Sequence, residues 1–260
     1  MRRFAAAVAL TRLTAITAVA LPLQMLAVRA NWRLASTLPV WWHRRALEAL
    51  ATRIRITGAP VVDRPLLVTP NHSSWIDIPV IASLMPISFV AKAEVAEWPL
   101  FGLFAKLQRT VFVDRTRRTA TGSAASELGG RLADGDCMVL FPEGTSWRGD
   151  EVLPFRSALL GAARNAILHG GHERVWVQPL TIAYKRLGGL PIGRAERARV
   201  GWYGDTELPG HLWGIFLAGG LDVEVIWGEA LPFDETTNRK KLAADLEATV
   251  RRDLLAALRP

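Results

Sequence analysis

The chain has 260 residues, of which 50% are apolar, and its formal net charge is +8 at pH 7. This length suits one sizeable α/β domain, and no break in composition divides the chain into two. The single cysteine, Cys137, excludes an intramolecular disulfide and is compatible with a reducing cytoplasm. The positive charge fits nucleic acid, anionic lipid or a phosphate-bearing substrate. Because no nucleic-acid-binding module is recognisable, we expect no nucleic-acid partner and prefer a lipid surface and an anionic substrate.

The first 45 residues carry the strongest compositional signal. Residues 4–28 are uncharged apart from Arg12 and mostly apolar, and they could cross a bilayer if that arginine reaches back to the interface. Pro22 would bend such a helix, and arginines on both sides give a crossing no preferred direction. A helix lying in one leaflet is an equal alternative, with the Trp41–Trp42 pair as its interfacial anchor. A cleaved signal peptide is a third alternative, which Arg12 disfavours because it interrupts the apolar core.

Beyond residue 50, short β-branched runs alternate with longer amphipathic stretches, which indicates an α/β sheet. The predicted strands are residues 53–56, 66–69, 87–91, 110–113, 138–141, 175–182, 199–203 and 222–227. The predicted helices are residues 75–84, 95–107, 119–133, 157–169 and 235–258, and the Gly- and Arg-rich residues 186–198 are predicted as an exposed loop. We therefore predict a mixed, mostly parallel sheet flanked by helices, with an N-terminal membrane-associated helical segment.

A histidine and an aspartate follow the second predicted strand. Asn71 and His72 come directly after it, and Asp77 lies five residues beyond the histidine. Five residues of an ideal helix turn through about 140°, so contact between the two side chains requires His72 in a loop that folds back over a helix beginning near Ser73 or Ser74. An aspartate on one ring nitrogen fixes the tautomer and leaves the other nitrogen free to accept a proton. The alternative is a helix cap beside a histidine without a chemical role.

A second polar turn follows the fifth predicted strand, with the sequence Phe-Pro-Glu-Gly-Thr at residues 141–145. Two such turns indicate one shared site. The Asn-His-x4-Asp and Phe-Pro-Glu-Gly-Thr motifs together resemble those of the glycerolipid acyltransferase family. Two weaker blocks of that family accompany them, one running from Lys92-Ala93-Glu94 to Arg115 and one at residues 177–180. The four blocks stand in the family's order and cover roughly residues 60–185.

The composition of the first 45 residues predicts a membrane anchor over residues 1–45, and the resemblance implies that residues 46–260 form an acyltransferase domain. It implies that His72 deprotonates the acceptor hydroxyl, which attacks an acyl thioester of CoA or acyl-carrier protein, and that Asp77 orients the histidine. These donors are substrates, so no cofactor is expected. No Gly-x-Ser-x-Gly elbow of a hydrolase is present.

By the same resemblance, the acceptor is a lyso-lipid and the residues that bind it are Asn71, Lys92, Arg115, Glu143, Gly144 and Thr145. The expected location is a bacterial-type inner membrane, with the active site on the cytoplasmic side. No metal site is expected, because His169 and His172 lack a third ligand at a recognised spacing.

One departure from the family pattern concerns the acceptor. Ser146 stands where the family usually has an arginine, a residue often credited with phosphate contact, and Arg148 or Arg156 could substitute for it. A second departure is Arg109, where the family usually has a glycine six residues before its arginine, and a third is the stretch 152–158, which replaces a more common Lys-x-Gly after Pro-Phe. Together these departures resemble the lyso-ornithine lipid acyltransferase branch. The dominance of phosphate acceptors in the wider family slightly favours 1-acyl-sn-glycerol-3-phosphate, with lyso-ornithine lipid as the alternative. A non-catalytic, membrane-attached lipid-binding protein is the alternative of a different class.

Overall fold

The computed structural model describes residues 2–113, 118–158, 160–161 and 172–259, with the backbone alone for residues 118–125. Its helices are α1 (Arg2–Arg29), α2 (Leu34–Ala49), α3 (Asp77–Ala82), α4 (Phe101–Leu107), α5 (Arg118–Ala133), α6 (Leu208–Ala218) and α7 (Arg239–Ala257). Short 3₁₀ helices cover Ala93–Glu97 and Glu196–Arg199. The strands are β1 (Thr52–Thr57), β2 (Leu66–Pro70), β3 (Ser88–Lys92), β4 (Val111–Val113), β5 (Cys137–Val139), β6 (Val175–Leu187), β7 (Leu190–Pro191), β8 (Leu221–Trp227) and β9 (Leu231–Phe233).

The described strands form one mixed sheet in the order β1-β8-β6-β2-β5-β3-β4, with β7 and β9 also paired to β6. The run from β6 through β2, β5 and β3 to β4 is parallel throughout. Strand β8 runs antiparallel to β6 and parallel to β1. The predicted fold class, a mixed and mostly parallel sheet flanked by helices, is confirmed.

Both faces of the sheet are covered. Leu66 and Val68 of β2 point into one apolar cluster, which includes residues of α2, α3 and α6, and Leu67 between them points into the opposite cluster. This alternation follows from the two-residue period of a strand. The second cluster contains one face of α7, whose buried residues Leu242, Leu246, Val250 and Leu254 recur every four positions. The central strands are therefore rigid supports for the turns that follow them.

Most predicted strands are confirmed with shifts of one or two residues at their ends, and β6 is five residues longer than predicted. The predicted strand 199–203 is wrong, because its first residue ends a 3₁₀ helix and the residues that follow form a loop. The predicted helix 95–107 is divided at Pro99 and Leu100, the latter with a φ of 63°, into a 3₁₀ helix and α4. The predicted helix 157–169 lies mostly outside the described residues.

Three elements were not predicted. Helix α6 contains a proline and two glycines within eleven residues, which obscures a helical pattern. Strands β7 and β9 are two and three residues long, too short to show a period. The predicted loop 186–198 holds β7 and part of the second 3₁₀ helix.

Helix α1 is the one described helix that is long and apolar enough to cross a membrane, which makes it a candidate membrane segment. It continues through Pro22 without a break. It also packs against α2, α4 and α6. Buried Gln24 donates to the carbonyl oxygens of Ala35, at 2.9 Å, and of Leu107, at 3.0 Å. A polar side chain therefore fixes the apolar helix to α2 and to the end of α4.

The proposed boundary between residues 45 and 46 falls inside α2, whose Ala46 and Leu47 are buried with the sheet domain. The division into anchor and catalytic domain stays a prediction. Many apolar side chains of α1 remain exposed, namely Phe4, Val8, Leu10, Val19, Leu23, Met25 and Leu26. This surface suits contact with lipid.

We expect Gln24→Leu to destabilise the fold by about 1–3 kcal/mol, because two carbonyl groups lose their shared donor. Met25→Leu is the matched control, since Met25 is on the same helix and is exposed; it should change stability by less than about 0.5 kcal/mol. Thermal unfolding of the detergent-solubilised protein measures both. Equal midpoints for the two variants would show that the Gln24 bonds do not hold α1 in place.

Candidate active site

The two motif turns meet because they follow neighbouring parallel strands. Strand β2 pairs in parallel with β5, so the residues after both strands emerge at the same edge of the sheet. Strand β3, which ends at Lys92, pairs in parallel with the other side of β5. Carboxyl ends of parallel strands are where open α/β sheets bind ligands. The topology thus brings the three family blocks with His72, Glu143 and Lys92 to one edge.

At this edge, Asp77 holds the imidazole of His72. Its Oδ2 lies 2.8 Å from Nδ1 of His72 and also accepts the backbone N–H groups of Ser73, at 2.8 Å, and Ser74, at 2.9 Å. Asp77 is fully buried, whereas the side chain of His72 is 19% exposed. Since a carboxylate oxygen that already accepts two N–H groups has no proton to give, Nδ1 is the donor, and Nε2 is left as the basic nitrogen.

The other carboxylate oxygen of Asp77 is held from a distant strand. Buried Tyr184, on β6, donates its hydroxyl to Oδ1 at 2.5 Å. Burial and the nearby carboxylate of Asp77 raise the pKa of Tyr184 well above its ordinary value, so the hydroxyl remains a donor. Tyr184 was not predicted as a site residue. It lies two residues beyond the predicted strand 175–182, and the available signal was a phenol that follows a long apolar run.

The local geometry differs from the expected helix start. Residues 71–74 have no regular secondary structure, Trp75 and Ile76 form a turn, and α3 begins at Asp77 rather than near Ser73 or Ser74. The aspartate therefore stands in the first turn of the helix and reaches back to the N–H groups before it. The side chain of Asp77 accepts N–H groups that precede it in the chain, whereas the side chain of a helix N-cap accepts N–H groups that follow it.

Glu143 connects the two motif turns. Its Oε1 accepts the backbone N–H of His72 at 2.7 Å, and its Oε2 accepts that of Leu153 at 3.0 Å. The side chain is buried. Burial raises the pKa of the Glu143 carboxyl to about 8, although the two N–H donors act to lower it. Both oxygens point to the backbone, so Glu143 positions the histidine turn.

The ring of His72 is also fixed by stacking. Its centroid lies 3.9 Å from that of Phe141, with 26° between the planes. The backbone carbonyl of His72 accepts the N–H of Trp147 at 3.0 Å. Among the described residues no hydrogen bond to Nε2 of His72 is found. The arrangement is that of a general base whose orientation is set and whose reactive nitrogen is open to a ligand.

The other predicted site residues differ in burial and in their hydrogen-bond partners. Asn71 is buried and exchanges two hydrogen bonds with the backbone of Ile182, at 2.8 and 3.0 Å. Lys92 and Thr145 are exposed, at the end of β3 and on the second turn. Gly144 adopts a φ of 75°, which a side chain would strain. Arg115 lies outside the described residues, and its role stays a prediction.

A segment that the sequence analysis assigned to a strand completes this edge. Trp202 donates its backbone N–H to the carbonyl of Ser73 at 2.8 Å, and Ser146 donates its hydroxyl to the carbonyl of Trp202 at 2.5 Å. Buried Arg197 donates to the carbonyl of Gly149 at 3.1 Å. Residues 197–203 therefore close one side of both motif turns.

No group of histidine, cysteine and carboxylate side chains suited to a metal ion occurs among the described residues. His172 lies 2.7 Å, by its Nε2, from the carbonyl oxygen of Ala133. Its sequence neighbour His169 is outside the described part of the chain.

Comparison with known proteins agrees with this geometry. A family model described as "Acyltransferase" matches residues 53–199, more than half of the chain. The chain belongs to the acyltransferase family. The acyltransferase is 45% identical to a lyso-ornithine lipid O-acyltransferase of Brucella abortus, over 95% of this chain and 92% of the relative. It is 29% identical to a 1-acyl-sn-glycerol-3-phosphate acyltransferase of Neisseria gonorrhoeae, over 79% and 76% of the two chains.

The acyltransferase also shares its fold with a solved structure. The crystal structure of the 1-acyl-sn-glycerophosphate acyltransferase PlsC of Thermotoga maritima superposes with a TM-score of 0.65. The match covers 99% of this chain and 98% of the other, at 22% sequence identity. At this identity the likeness concerns the fold, including the N-terminal helices.

We expect Tyr184→Phe to lower the kcat of the acyltransferase about tenfold to a hundredfold, because a charged acceptor would lose its hydrogen bond. The KM values should change little, since the buried hydroxyl is not placed to touch a substrate. Tyr203→Phe, which removes the hydroxyl from the other tyrosine of the chain, is the matched control. An unchanged kcat in Tyr184→Phe would show that Asp77 does not depend on this bond.

The raised pKa of Glu143 predicts a dependence of stability on pH. Between its ordinary value of about 4.5 and about 8, the folded state keeps a proton that the unfolded state has lost. Stability therefore falls as pH rises through this window, by at most about 1.4 kcal/mol per pH unit from this group. Relative to Glu143→Gln, the wild type should lose stability between pH 5 and 8 in thermal unfolding.

The exposed Glu229 supplies the control for this measurement, because Glu229→Gln should leave the pH dependence of the wild type unaltered. Parallel curves for the wild type and Glu143→Gln would contradict the raised pKa.

Proposed function

We propose that this acyltransferase moves a fatty acyl chain from an acyl thioester to the free hydroxyl of a lyso-lipid, and that the acceptor is lyso-ornithine lipid. The observation that carries the chemistry is the contact between Nδ1 of His72 and the buried carboxylate of Asp77, 2.8 Å apart, with Nε2 left open. The 45% identity to a lyso-ornithine lipid O-acyltransferase, over nearly all of both chains, supports the acceptor.

In the proposed reaction, Nε2 of His72 takes the proton of the acceptor hydroxyl while its oxygen attacks the thioester carbonyl carbon. The imidazolium that results is stabilised by the carboxylate of Asp77. The carbon–sulfur bond then breaks, and the departing sulfur takes the proton back from Nε2. The products are the acylated lipid and the free thiol of CoA or acyl-carrier protein. This sequence needs no covalent enzyme intermediate and no cofactor.

The residues of the site divide into two groups in this proposal. Asn71 and Glu143 act by positioning, because their polar atoms are occupied by backbone groups of β6 and of the histidine turn. Lys92 and Thr145, which are exposed at this edge, contact the head group of the acceptor, and Arg115, which lies outside the described residues, stays a predicted contact. The charged side chains among them suit an anionic group on that acceptor.

We place the enzyme at the bacterial inner membrane, with its active site on the cytoplasmic side. The exposed apolar surface of α1 supports contact with the lipid, and the bonds of Gln24 attach this helix to the catalytic domain. Access to a CoA or carrier-protein thioester requires the cytoplasmic face.

A second candidate acceptor is 1-acyl-sn-glycerol-3-phosphate. The relative from Neisseria gonorrhoeae, with 29% identity, supports it, as does the resemblance in the four motif blocks. Ser146 opposes it, because an arginine at this place would be the better partner for a phosphate.

His72→Ala should lower acyl transfer at least a thousandfold, since no other described group is placed to take the hydroxyl proton. Asp77→Asn should also lower it strongly, because the amide favours the wrong tautomer of the histidine. Transfer from a radiolabelled acyl thioester to lyso-ornithine lipid and to lysophosphatidate measures both the reaction and the acceptor.

Vesicle binding of the same variants is the control, and it should match the wild type because both residues lie away from α1. Turnover of His72→Ala near that of the wild type would remove the assigned base and favour a non-catalytic lipid-binding role. Transfer by the wild type to lysophosphatidate alone would replace the proposed acceptor with the second candidate.

A further inference from the structure

Two tryptophans lie together beside the histidine turn. The rings of Trp98 and Trp202 are 5.8 Å apart between centroids and cross at 87°. Trp98 follows the 3₁₀ helix that begins after Lys92, and Trp202 is bonded to Ser73 through its backbone N–H. The pair therefore bridges from the end of β3 to the residue that follows the base. This is the edge at which the acceptor must place its hydroxyl.

The ring of Trp202 is held in one orientation. Its Nε1 donates to the carbonyl of Thr206 at 2.7 Å, and its backbone carbonyl accepts the hydroxyl of Ser146 at 2.5 Å. Trp98 is 37% exposed, and Trp202 is partly exposed. An aromatic pair in which one ring is fixed by a hydrogen bond and both rings are accessible is pre-organised for a ligand.

The residue at position 146, beside this pair, fits a zwitterion better than a phosphate. Ser146, whose hydroxyl bonds Trp202, stands where an arginine would put a cation next to the rings. Among the described residues, the cation that stacks on an aromatic ring of the adjoining turn is Arg148, whose guanidinium carbon lies 5.5 Å from the ring centroid of Trp147. Arg148 is exposed and can pair with a carboxylate. The second motif turn thus offers Arg148 to an anion. Near it, the rings of Trp98 and Trp202 have no cation stacked on them among the described residues.

We propose that Trp98 and Trp202 form the subsite for the ammonium group of the acceptor, which they bind through cation–π contacts, while Arg148 pairs with its carboxylate. This proposal rests on the proposed function and names the feature that selects ornithine lipid. The face of an aromatic ring, best that of tryptophan, attracts a cation through its quadrupole. It offers nothing comparable to a phosphate, which needs donors. Ser146 in place of the arginine and the aromatic pair then both favour an acceptor with an ammonium group over an acceptor with a phosphate.

The experiment compares three acceptors with the purified full-length enzyme in mixed micelles. They are lyso-ornithine lipid, the same lipid with its side-chain amine acetylated, and lysophosphatidate. Acetylation removes the positive charge and keeps the reacting hydroxyl. The wild type should prefer the free amine over the acetylated form by about 3- to 30-fold in kcat/KM, the range of a partly desolvated cation–π contact.

In Trp202→Leu the preference for the free amine should fall to within about twofold, whereas Trp202→Phe should keep part of it. Ser146→Arg should lower the ratio of kcat/KM for lyso-ornithine lipid to that for lysophosphatidate, because it places a cation beside the subsite. Trp213→Leu, which removes an exposed tryptophan of α6, is the control and should leave both ratios as they are. If Trp202→Leu does not fold, Trp98→Leu carries the same test.

The outcomes separate this inference from the function on which it rests. If the wild type acylates lyso-ornithine lipid without preferring the free amine, or if the preference survives both tryptophan variants, the ammonium subsite is wrong and the proposed reaction stands. If the wild type acylates lysophosphatidate but neither ornithine lipid, the proposed acceptor fails and the inference fails with it.

Discussion

The catalytic edge of this acyltransferase depends on the buried carboxylate of Asp77, which has no Lys or Arg partner among the described residues. Removing a carboxylate from water is very costly unless its oxygens are hydrogen-bonded. Asp77 meets this condition with four donors, which are the ring of His72, two backbone N–H groups and the hydroxyl of Tyr184. Three of these donors lie on the histidine turn and the fourth lies on β6, so the histidine turn, α3 and β6 can take only one relative arrangement. The same set of bonds decides which nitrogen of His72 is free.

The rest of the edge extends this arrangement. Glu143 ties the second motif turn to the N–H of His72, and the segment around Trp202 ties a third part of the chain to both turns. These links are bonds to backbone groups, which fix positions more firmly than contacts between flexible side chains. The catalytic histidine is therefore held by parallel strands and by turns that are hydrogen-bonded to one another, while Nε2 of His72 remains open.

Periodicity and parallel topology were enough to predict the sheet and the meeting of the two turns. The pairing of His72 with Asp77 was expected from the family motif, although the helix begins at Asp77 and not near Ser73 or Ser74. Neither periodicity nor motif could predict Tyr184, since its role depends on which residue of β6 faces Asp77, and this is a matter of tertiary register. The same limit explains the loop at residues 199–203. Its β-branched and aromatic residues fit a strand locally, but its backbone groups find partners on the turns instead of in the sheet. Glu143 was recognised by its motif, and only the structure showed that its oxygens face the backbone.

The central claim is that Asp77 holds His72 with its proton on Nδ1 and leaves Nε2 as the base. Nitrogen-15 NMR of the detergent-solubilised enzyme, labelled at its five histidines, reads the tautomer directly, and His72→Gln identifies the signal. The account predicts that the neutral ring of His72 is protonated at Nδ1, with a proton shifted strongly downfield, and that Asp77→Asn abolishes this state. A neutral His72 protonated at Nε2 in the wild-type enzyme would contradict it.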